Sequence, residues 1–452
     1  MQVLITIFGF ILFIGLVLVH EWGHFIAARR NGVDVEEFGL GFPPRAYGKK
    51  IKSGTLLSIN WLPLGGFVKL KGEHDSDNRK GSFGAASLAA KTKIMLAGVG
   101  MNLLVAILIL TFLYLTGMPK LVTKDQFNQD QFAQNASVSK QEVLAIYIEK
   151  NSPASRAGLV SLDKIKSISN GQDTVDVKAP GDLKKATDKF EGQDIQLTYI
   201  HNSNQATGHT KLRSTQQIKS DIYNQAGIDK AAKITAFTNA KDSSDNIKIK
   251  SDDDLLRAAQ AFSGEKIIIS FATNGKTSTK PAVISGEGYL GVQPYSLQFV
   301  RSGWSAPINA IGFTGQLIKL TAQGLWHAVS GLGSLIAGAV TNNHQARVNG
   351  QDAATSQVGG PVAIFKILSG SSSLGVNYLL AIIALISLTL AFMNILPIPA
   401  LDGGRLMVLL LSRGLLKRPL SRTMEERIHG AGMAVLLLLI TLITIVDVKR
   451  FF

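Results

Sequence analysis

The sequence predicts an α-helical membrane protein with four transmembrane helices, a membrane-dipping β-hairpin and two α+β units that lie outside the cytoplasm. Three observations support this fold class: apolar residues are concentrated in blocks, a long polar segment separates the second block from the third, and that segment contains an internal repeat. A chain of 452 residues has room for several domains. It has no cysteine, so disulfides are excluded and protein ligands to a metal ion come from His, Asp or Glu.

The apolar blocks are each close to the length that a helix needs to cross a bilayer, although the last is short. The helix of the first block is predicted to continue through Arg29, and the glycines and prolines of segment 39–44 then break it. The predicted spans are 3–19, 94–115, 378–396 and 431–446. The predicted domains are 1–30 (first transmembrane helix), 31–93 (re-entrant hairpin region), 94–117 (second transmembrane helix), 118–222 and 223–296 (the two α+β units), 297–374 (helices on the outer membrane surface), 375–404 (third transmembrane helix), 405–429 (cytoplasmic loop) and 430–452 (fourth transmembrane helix).

Lysine and arginine predict how these spans are oriented. The segments 29–93 and 405–427 are rich in both residues, whereas none precedes the first span. The positive-inside rule therefore makes these two segments cytoplasmic and places the N-terminus and the segment 120–374 outside. The apolar stretch 311–340 would reverse the last two spans if it crossed, so we expect helices lying on the outer membrane surface. The net charge of +15 thus reflects topology, and we expect lipids, not nucleic acid, as partners.

Two short strand-like runs, 55–62 and 67–71, follow the first span. They are joined by a Pro-Leu-Gly-Gly segment at 63–66, whose residue types suit a hairpin turn. The runs are apolar and include Trp61, so we expect the hairpin to dip into the membrane against protein or a water-filled cavity. A hairpin that faces solvent is the alternative.

The long segment outside the cytoplasm contains a repeat. The spacing of glycine and isoleucine across 158–165 recurs across 227–234, and the pattern of 182–197 recurs in 254–269. Agreement in two separate blocks indicates a duplicated unit. Each copy predicts a strand, a short helix, a strand, an amphipathic helix and a further strand.

The first copy resembles a PDZ domain. Its segment 152–165 carries the Ser-Pro-Ala, Ala-Gly-Leu and Asp-x-Ile elements of that signature, with Leu162 where glycine usually precedes the Asp. The second copy lacks the Ser-Pro-Ala element and the Asp. The resemblance implies two extracytoplasmic α+β PDZ-like domains. Such domains usually bind an extended peptide as an added strand, and a purely steric role is an equal alternative here.

The residues with the clearest chemistry lie at the end of the first span. His20 and His24 are four positions apart, so they share one helix face and can bind one metal ion. Glu21 can reach a metal-activated water as a general base. The same pattern occurs on solvated faces of soluble helices, but ionisable residues in an apolar span are costly unless they have a function. We expect no cleaved signal peptide, because no basic segment precedes the apolar run.

A third metal ligand is predicted at the end of the third span. Asp402 ends that span at the cytoplasmic face, where His20 and His24 also end the first. Alone, such an Asp would more often be a helix cap or turn residue. Catalytic zinc sites use three protein ligands and leave one position for water, which makes Asp402 the natural third ligand. His429, at the start of the fourth span, is its rival.

These motifs together resemble the site-2 protease family of intramembrane zinc metalloproteases. The two PDZ-like units favour members with tandem PDZ domains over relatives with one. Val99 stands where the family usually has proline. The resemblance covers nearly the full length and rests on His20-Glu-x-x-His24, Phe-Gly-Leu-Gly-Phe at 38–42, the segment 63–69, Gly98 and Asn102, Gly-Gly-Pro-Val at 359–362, and Asn394-x-x-Pro-x-Pro-x-Leu-Asp402-Gly403.

The resemblance implies a zinc endopeptidase. Zn²⁺ would be held by His20, His24 and Asp402, with Glu21 as the base that takes a proton from water and then protonates the leaving nitrogen. The resemblance also implies that Asn394 contacts the backbone of the substrate.

The substrate would be a transmembrane helix that stretches locally before attack, because intrahelical hydrogen bonds protect its peptide bonds. We expect Gly65, Gly66 and Phe67 of the hairpin to bind the stretched segment as an added strand. The PDZ-like pair would exclude substrates whose outer domain another protease has not yet removed. The resemblance implies a single-span anti-sigma factor and signal-peptide remnants as substrates, in regulated intramembrane proteolysis during a sigma-E stress response. We expect a monomer in the bacterial inner membrane.

Two other classes of function remain open. The chain could be a membrane-bound PDZ adaptor whose metal site is structural, with four protein ligands and no position for water. A metal transporter is less favoured, because the predicted ligands cluster at one face and do not form a path across the bilayer.

Overall fold

The structure is a computed structural model, and it describes residues 2–120, 135–341 apart from 203, 241–242, 274 and 285–287, residue 368, and 374–451 apart from 416 and 418. The Gly-Gly-Pro-Val motif at 359–362 lies outside the described residues. The helices are α1 Gln2–Arg30, α2 Leu88–Thr116, α3 Pro153–Arg156, α4 Pro180–Lys189, α5 Thr215–Ala226, α6 Asp252–Ala261, α7 Ala306–Val340, α8 Val376–Ile395, α9 Asp402–Gly414 and α10 Arg422–Phe451. The strands are β1 Val35–Lys50, β2 Leu56–Leu70, β3 Met118–Pro119, β4 Ser137–Ile148, β5 Lys164–Ser169, β6 Thr174–Asp176, β7 Asp194–His201, β8 Asn204–Lys211, β9 Lys233–Asn239, β10 Asn246–Lys248, β11 Lys266–Thr273, β12 Lys276–Val283 and β13 Val292–Arg301.

The chain forms two compact units. The first comprises residues 1–137 and 300–452, and the second comprises residues 138–299. In the described part of the chain, four helices of the first unit are long and apolar enough to cross a membrane, namely α1, α2, α8 and α10. These match the four predicted spans. The second and fourth begin earlier than predicted. For α2 the reason is a cap, because the Ser87 hydroxyl accepts the Ala90 N–H.

Helix α2 is the centre of the first unit. Its Leu110 and Tyr114 pack against Phe313 of α7 and Ala384 of α8 in one buried cluster. A second cluster joins α1 to α8 through side chains such as Leu16. Helix α7 therefore packs its N-terminal half on two apolar helices, and it is not among the four span-like helices of the described chain.

The β-hairpin differs from the prediction. Its turn lies at 51–55, where the Ile51 N–H donates to the Thr55 carbonyl and the Gly54 N–H donates to the Ile51 carbonyl. The segment 63–66, predicted as the turn, lies inside β2. Turn-type residues also bend a strand without ending it, and Gly65 does so with a left-handed φ of 81°. The two predicted strands therefore do not pair with each other.

Both halves of β2 pair with the first half of β1. Leu40 lies opposite Gly66 on one side and Ile59 on the other. Segment 66–70 consequently has β1 as its neighbour on one side and forms an edge of this sheet. An edge strand presents unpaired N–H and C=O groups to any peptide that can reach it.

The third span also ends differently from the prediction. Helix α8 stops at Ile395, an irregular segment follows, and Asp402 is the first residue of the separate helix α9. Two glycines allow this sharp turn. A Cβ at Gly403 would lie 2.2 Å from the Ile395 carbonyl oxygen, and one at Gly404 would lie 1.9 Å from that of Ile398. Asp402 therefore begins a short helix and does not end the membrane span.

The second unit contains the predicted repeat as two similar folds. The strand order is β6-β5-β7-β8 in the first copy and β10-β9-β11-β12 in the second, and β4 and β13 extend the first sheet beyond β5. Equivalent residues fill the two cores: Ile165, Leu183, Phe190 and Leu197 in the first copy and Ile234, Leu255, Phe262 and Ile269 in the second. Leu162, which replaces the glycine of the signature, keeps a left-handed φ of 73°.

The border between the copies lies earlier than predicted. Helix α5 crosses the expected boundary at 222/223. Its Ile218, Ile222 and Tyr223 belong to the core of the second copy, because the apolar face of α5 packs there. The second copy therefore begins with this helix, which the repeat pattern in the sequence did not contain.

Candidate metal centre

Helix α1 places the two histidines one turn apart. The Nε2 atoms of His20 and His24 are 3.2 Å from each other, and both side chains are mostly buried. The Nδ1 atom of His24 lies 2.8 Å from the Ile94 carbonyl oxygen of α2. That carbonyl can only accept, so His24 donates from Nδ1 and leaves Nε2 free to bind a cation.

Asp402 completes a cluster with the two imidazoles. Its Oδ2 atom lies 3.0 Å from His20 Nε2 and 3.1 Å from His24 Nε2. Two ligands at tetrahedral positions around zinc are roughly 3.3–3.4 Å apart, so one cation fits between these three atoms. The donor set therefore suits zinc and leaves a fourth position for water.

Helix α2 makes this cluster possible because its backbone passes close to the imidazoles of His20 and His24. A Cβ at Gly98 would lie 2.4 Å from His24 Nε2 and 2.7 Å from His20 Nε2. No residue larger than glycine fits there without moving the imidazoles. Asn102, one turn further along the same face, lies 3.3 Å from His20 Nδ1 through its amide nitrogen.

A cleft of about 490 Å³ opens beside the cluster. Glu21 lines it together with His24 and Asp402, so a carboxylate outside the ligand set faces the same space. The edge strand of β2 forms one wall. The remaining lining residues are Phe67, Val68, Lys69, Leu70, Glu73, Phe83, Ile94, Met95 and Arg405.

Of the four residues that were predicted to bind substrate, one lines the cleft and the other three do not. Phe67 lines the cleft, and a Cβ on Gly66 would lie 3.5 Å from the Glu21 side chain. Gly65 lies at the bend of β2, under the ring of Phe42. Asn394 lies in the last turn of α8 and, in the part of the chain that the structure describes, is not among the residues that line the cleft.

The rival ligand lies elsewhere. His429 Nδ1 contacts the Pro399 carbonyl oxygen, and among the described residues the one group of three metal-ligating side chains is His20, His24 and Asp402. The cleft also contains four residues that were not expected there from the sequence, namely Glu73, Phe83, Ile94 and Arg405. They come from four separate segments, and no local pattern marks them as neighbours.

Comparisons with known proteins extend these observations to the whole chain. The profile of peptidase family M50 matches residues 8–439. The chain is 26% identical over 442 residues to a Clostridium perfringens protein whose name describes a zinc metalloprotease, with 98% of both chains covered. It is 26% identical over 470 residues to the regulator of sigma-E protease RseP of Escherichia coli, with 98% of both covered, and 26% identical over 448 residues to the regulator of sigma E protease of Haemophilus influenzae, with 93% of both covered.

Proposed function

The chain belongs to peptidase family M50, and from this membership we propose that it hydrolyses peptide bonds inside transmembrane segments of membrane proteins that another protease has trimmed. It is a zinc metalloprotease of the site-2 type, similar to the regulator of sigma-E protease RseP, as the sequence predicts. The cleavage of membrane segments and the roles of individual residues are the further content of the proposal.

The observation that carries the proposal is the geometry around Asp402. Three ligand atoms from two helices lie within 3.2 Å of one another, beside a cleft that Glu21 also lines. We assign the zinc ligands to His20, His24 and Asp402. Zinc with three protein ligands supplies a water that is acidic near neutral pH and a Lewis acid for the substrate carbonyl.

The chain's own contribution to the reaction is proton transfer and positioning. Glu21 accepts a proton from the water that attacks the carbonyl carbon, and it delivers that proton to the nitrogen as the C–N bond breaks. Its position on α1, next to His20, keeps its carboxylate close to the ligand set. The partial burial of the cluster limits competition from bulk water.

The edge of β2 is the proposed site for the substrate backbone. Segment 66–70 pairs with β1 along one edge only, and its residues 67–70 line the cleft that contains the metal ligands. The N–H groups of Val68 and Leu70 bond to the carboxylates of Glu21 and Glu73, which an added strand would replace. An unwound transmembrane segment can add to this edge and recover the hydrogen bonds that it loses on stretching. Gly66 and Phe67 would contact it directly. Gly65 would set the bend, and Asn394 would contact its backbone after movement of the α8 terminus.

The second unit is proposed to act outside the cytoplasm as two PDZ-like domains that exclude untrimmed substrates. The duplicated fold with two separate cores supports a PDZ-like assignment, and the lysine and arginine pattern supports the orientation. Two relatives are named regulator of sigma-E protease. In line with the family resemblance of the sequence, we propose a single-span anti-sigma factor as substrate, with signal-peptide remnants as a second class. We propose a monomer in the bacterial inner membrane.

A membrane-bound adaptor with a structural metal site is the competing function. A structural zinc site has four protein ligands, whereas the described residues provide three that converge. A carboxylate facing the same cleft also has no purpose in a closed structural site. These two observations favour the protease.

The test is cleavage of a transmembrane model substrate by the purified full-length protein in detergent. We expect cleavage that a zinc chelator abolishes and added zinc restores. The Glu21→Gln variant should keep its zinc and lose about 100- to 10,000-fold in rate, the usual contribution of a general base. Cleavage by Glu21→Gln at the normal rate would refute the assignment of the base, and chelator-resistant cleavage would refute the zinc mechanism.

A further inference from the structure

Asn102 is a buried amide directly behind one of the metal ligands. The residue is 1% exposed and lies in the middle of the apolar helix α2. Its Nδ2 atom lies 3.3 Å from His20 Nδ1, and its Oδ1 atom has no hydrogen-bond partner. A buried amide oxygen without a partner has lost its hydrogen bonds to water and gained none in return, so this arrangement requires an explanation.

The protonation of His20 provides the explanation. If Nε2 of His20 binds a cation, that nitrogen carries no proton, and the neutral ring then carries its proton on Nδ1. An N–H on His20 Nδ1 would face the N–H groups of Asn102 Nδ2. Two donors would then oppose each other while an acceptor on the same amide remains unused.

We propose that Asn102 is a positioning residue for the metal, with its Oδ1 accepting a hydrogen bond from the Nδ1–H of His20. The two ends of a carboxamide have nearly the same shape, so half a turn about its last bond exchanges Nδ2 and Oδ1 in place. The exchange removes the conflict between donors and gives the buried oxygen its partner. The inference rests on the proposed assignment of His20 as a zinc ligand, and it adds Asn102 as the residue that orients the His20 ring.

The surroundings of Asn102 support a role in orientation. The Ser387 hydroxyl of α8 donates to the Asn102 backbone carbonyl at 2.8 Å, which fixes this turn of α2 against α8. The Ile94 carbonyl lies two turns away on the same helix face and holds Nδ1 of His24. Helix α2 contributes no ligand, yet in this arrangement it sets the tautomer and ring plane of both histidines.

The consequence is a specific requirement at position 102 for an acceptor. Outer partners of metal-bound histidines orient the ring and raise its basicity, and their loss usually costs about 10- to 100-fold in metal affinity. Asn102→Leu keeps the approximate size and removes the acceptor. Asn102→Asp keeps an acceptor and removes the N–H donors, so the two variants separate the chemistry from the packing.

The experiment measures the rate at which the purified full-length protein loses zinc to an excess of a coloured chelator, without any substrate. We expect Asn102→Leu to release zinc about 10- to 100-fold faster than the unmodified protein, and Asn102→Asp to release it no faster. The visible spectrum of the cobalt-substituted protein should change in Asn102→Leu and be retained in Asn102→Asp. Asn377→Leu is the matched control, because Asn377 donates to the Gly117 carbonyl away from the cluster.

Two results would overturn the inference. If Asn102→Leu retains zinc as long as the unmodified protein, no orienting bond exists. If Asn102→Asp loses zinc as fast as Asn102→Leu, the amide acts as a donor or as packing and not as an acceptor. Failure of the unmodified protein to bind zinc would instead refute the proposed metal site.

Discussion

Whether Asp402 can act as a metal ligand depends on where the fold places its carboxylate. In the sequence it is an ordinary helix-starting Asp, and its carboxylate becomes a candidate ligand because two glycines turn α9 back against the end of α8. Its Oδ2 then lies 3.0 Å from a histidine 382 positions earlier. His429 has the more usual ligand chemistry but is held at a backbone carbonyl instead.

The first prediction separates these two residues. Asp402→Asn should weaken zinc binding by more than about 100-fold, because it removes the one charged ligand of the set. This effect should exceed the loss of about 10- to 100-fold that is usual for residues which only hydrogen-bond to a metal ligand. His429→Asn should leave the zinc content unchanged. Metal content after dialysis against a weak chelator checks both. Loss of zinc in His429→Asn with retention in Asp402→Asn would transfer the ligand role to His429.

At the scale of elements, a buried ion cluster fastens α9. Asp75, in the loop after β2, accepts hydrogen bonds from Lys91 of α2 and Arg413 of α9. Its backbone N–H donates to Glu425 of α10. Burial opposes ionisation of Asp75, but these two cations together hold the pKa of its carboxyl below the ordinary value. The Asp75 carboxylate thereby connects α2 to α9, and the backbone N–H of the same residue adds α10.

The second prediction concerns the stability of this cluster. Asp75→Asn should destabilise the protein by about 3–5 kcal/mol at neutral pH, because it leaves buried Lys91 without its anion and removes a partner of the partly exposed Arg413. Glu36→Gln, which removes an exposed partner of Lys69, is the control and should have little effect. Unfolding in detergent, followed by circular dichroism, measures both variants. Equal stability of the two would contradict the role of Asp75.

The same cluster predicts a dependence on pH. A carboxyl whose pKa is lower in the folded protein stabilises it fully above the ordinary value of 3.8, and that contribution is lost as the pH falls through the folded pKa. The stability difference between the unmodified protein and Asp75→Asn should therefore be constant near neutral pH and should shrink under strongly acidic conditions. A difference that grows on acidification would have the wrong sign.

At the scale of the whole molecule, the second unit is a compact insertion in the chain of the first. It occupies residues 138–299 and has two hydrophobic cores of its own. The candidate metal-binding cluster of His20, His24 and Asp402 belongs entirely to the first unit. The chemistry and the proposed size filter are therefore separate in sequence, which makes them separable by deletion.

The final prediction uses that separation. Replacing residues 138–299 by a flexible Gly/Ser linker should leave zinc binding intact and allow cleavage of substrates that still carry their outer domain. The reason is that the proposed filter acts by excluding bulk and not by supplying chemistry. Cleavage of trimmed and untrimmed model substrates by both proteins provides the comparison, with Glu21→Gln in the deleted form as control. Continued discrimination against untrimmed substrate would contradict the filter.

The sequence by itself determined the features that depend on short separations along the chain. A helical period of 3.6 residues puts His20 and His24 on one face. A run of apolar residues of bilayer length predicts a membrane span whatever its neighbours are. A repeated spacing indicates a repeated fold. The match to family M50 confirms the class of enzyme that these patterns predict. The individual ligand and substrate roles stay predictions.

The tertiary structure decided the features that depend on contacts between distant segments. Turn-type residues at 63–66 are compatible with a hairpin or with a bent strand, and pairing with β1 selected the bent strand. The convergence of Asp402 with the histidines, and of Asn102 with His20, requires α1, α2 and α9 to pack in one arrangement. The physical reason is that packing energy is summed over many side chains from separate segments, and no local pattern contains that sum.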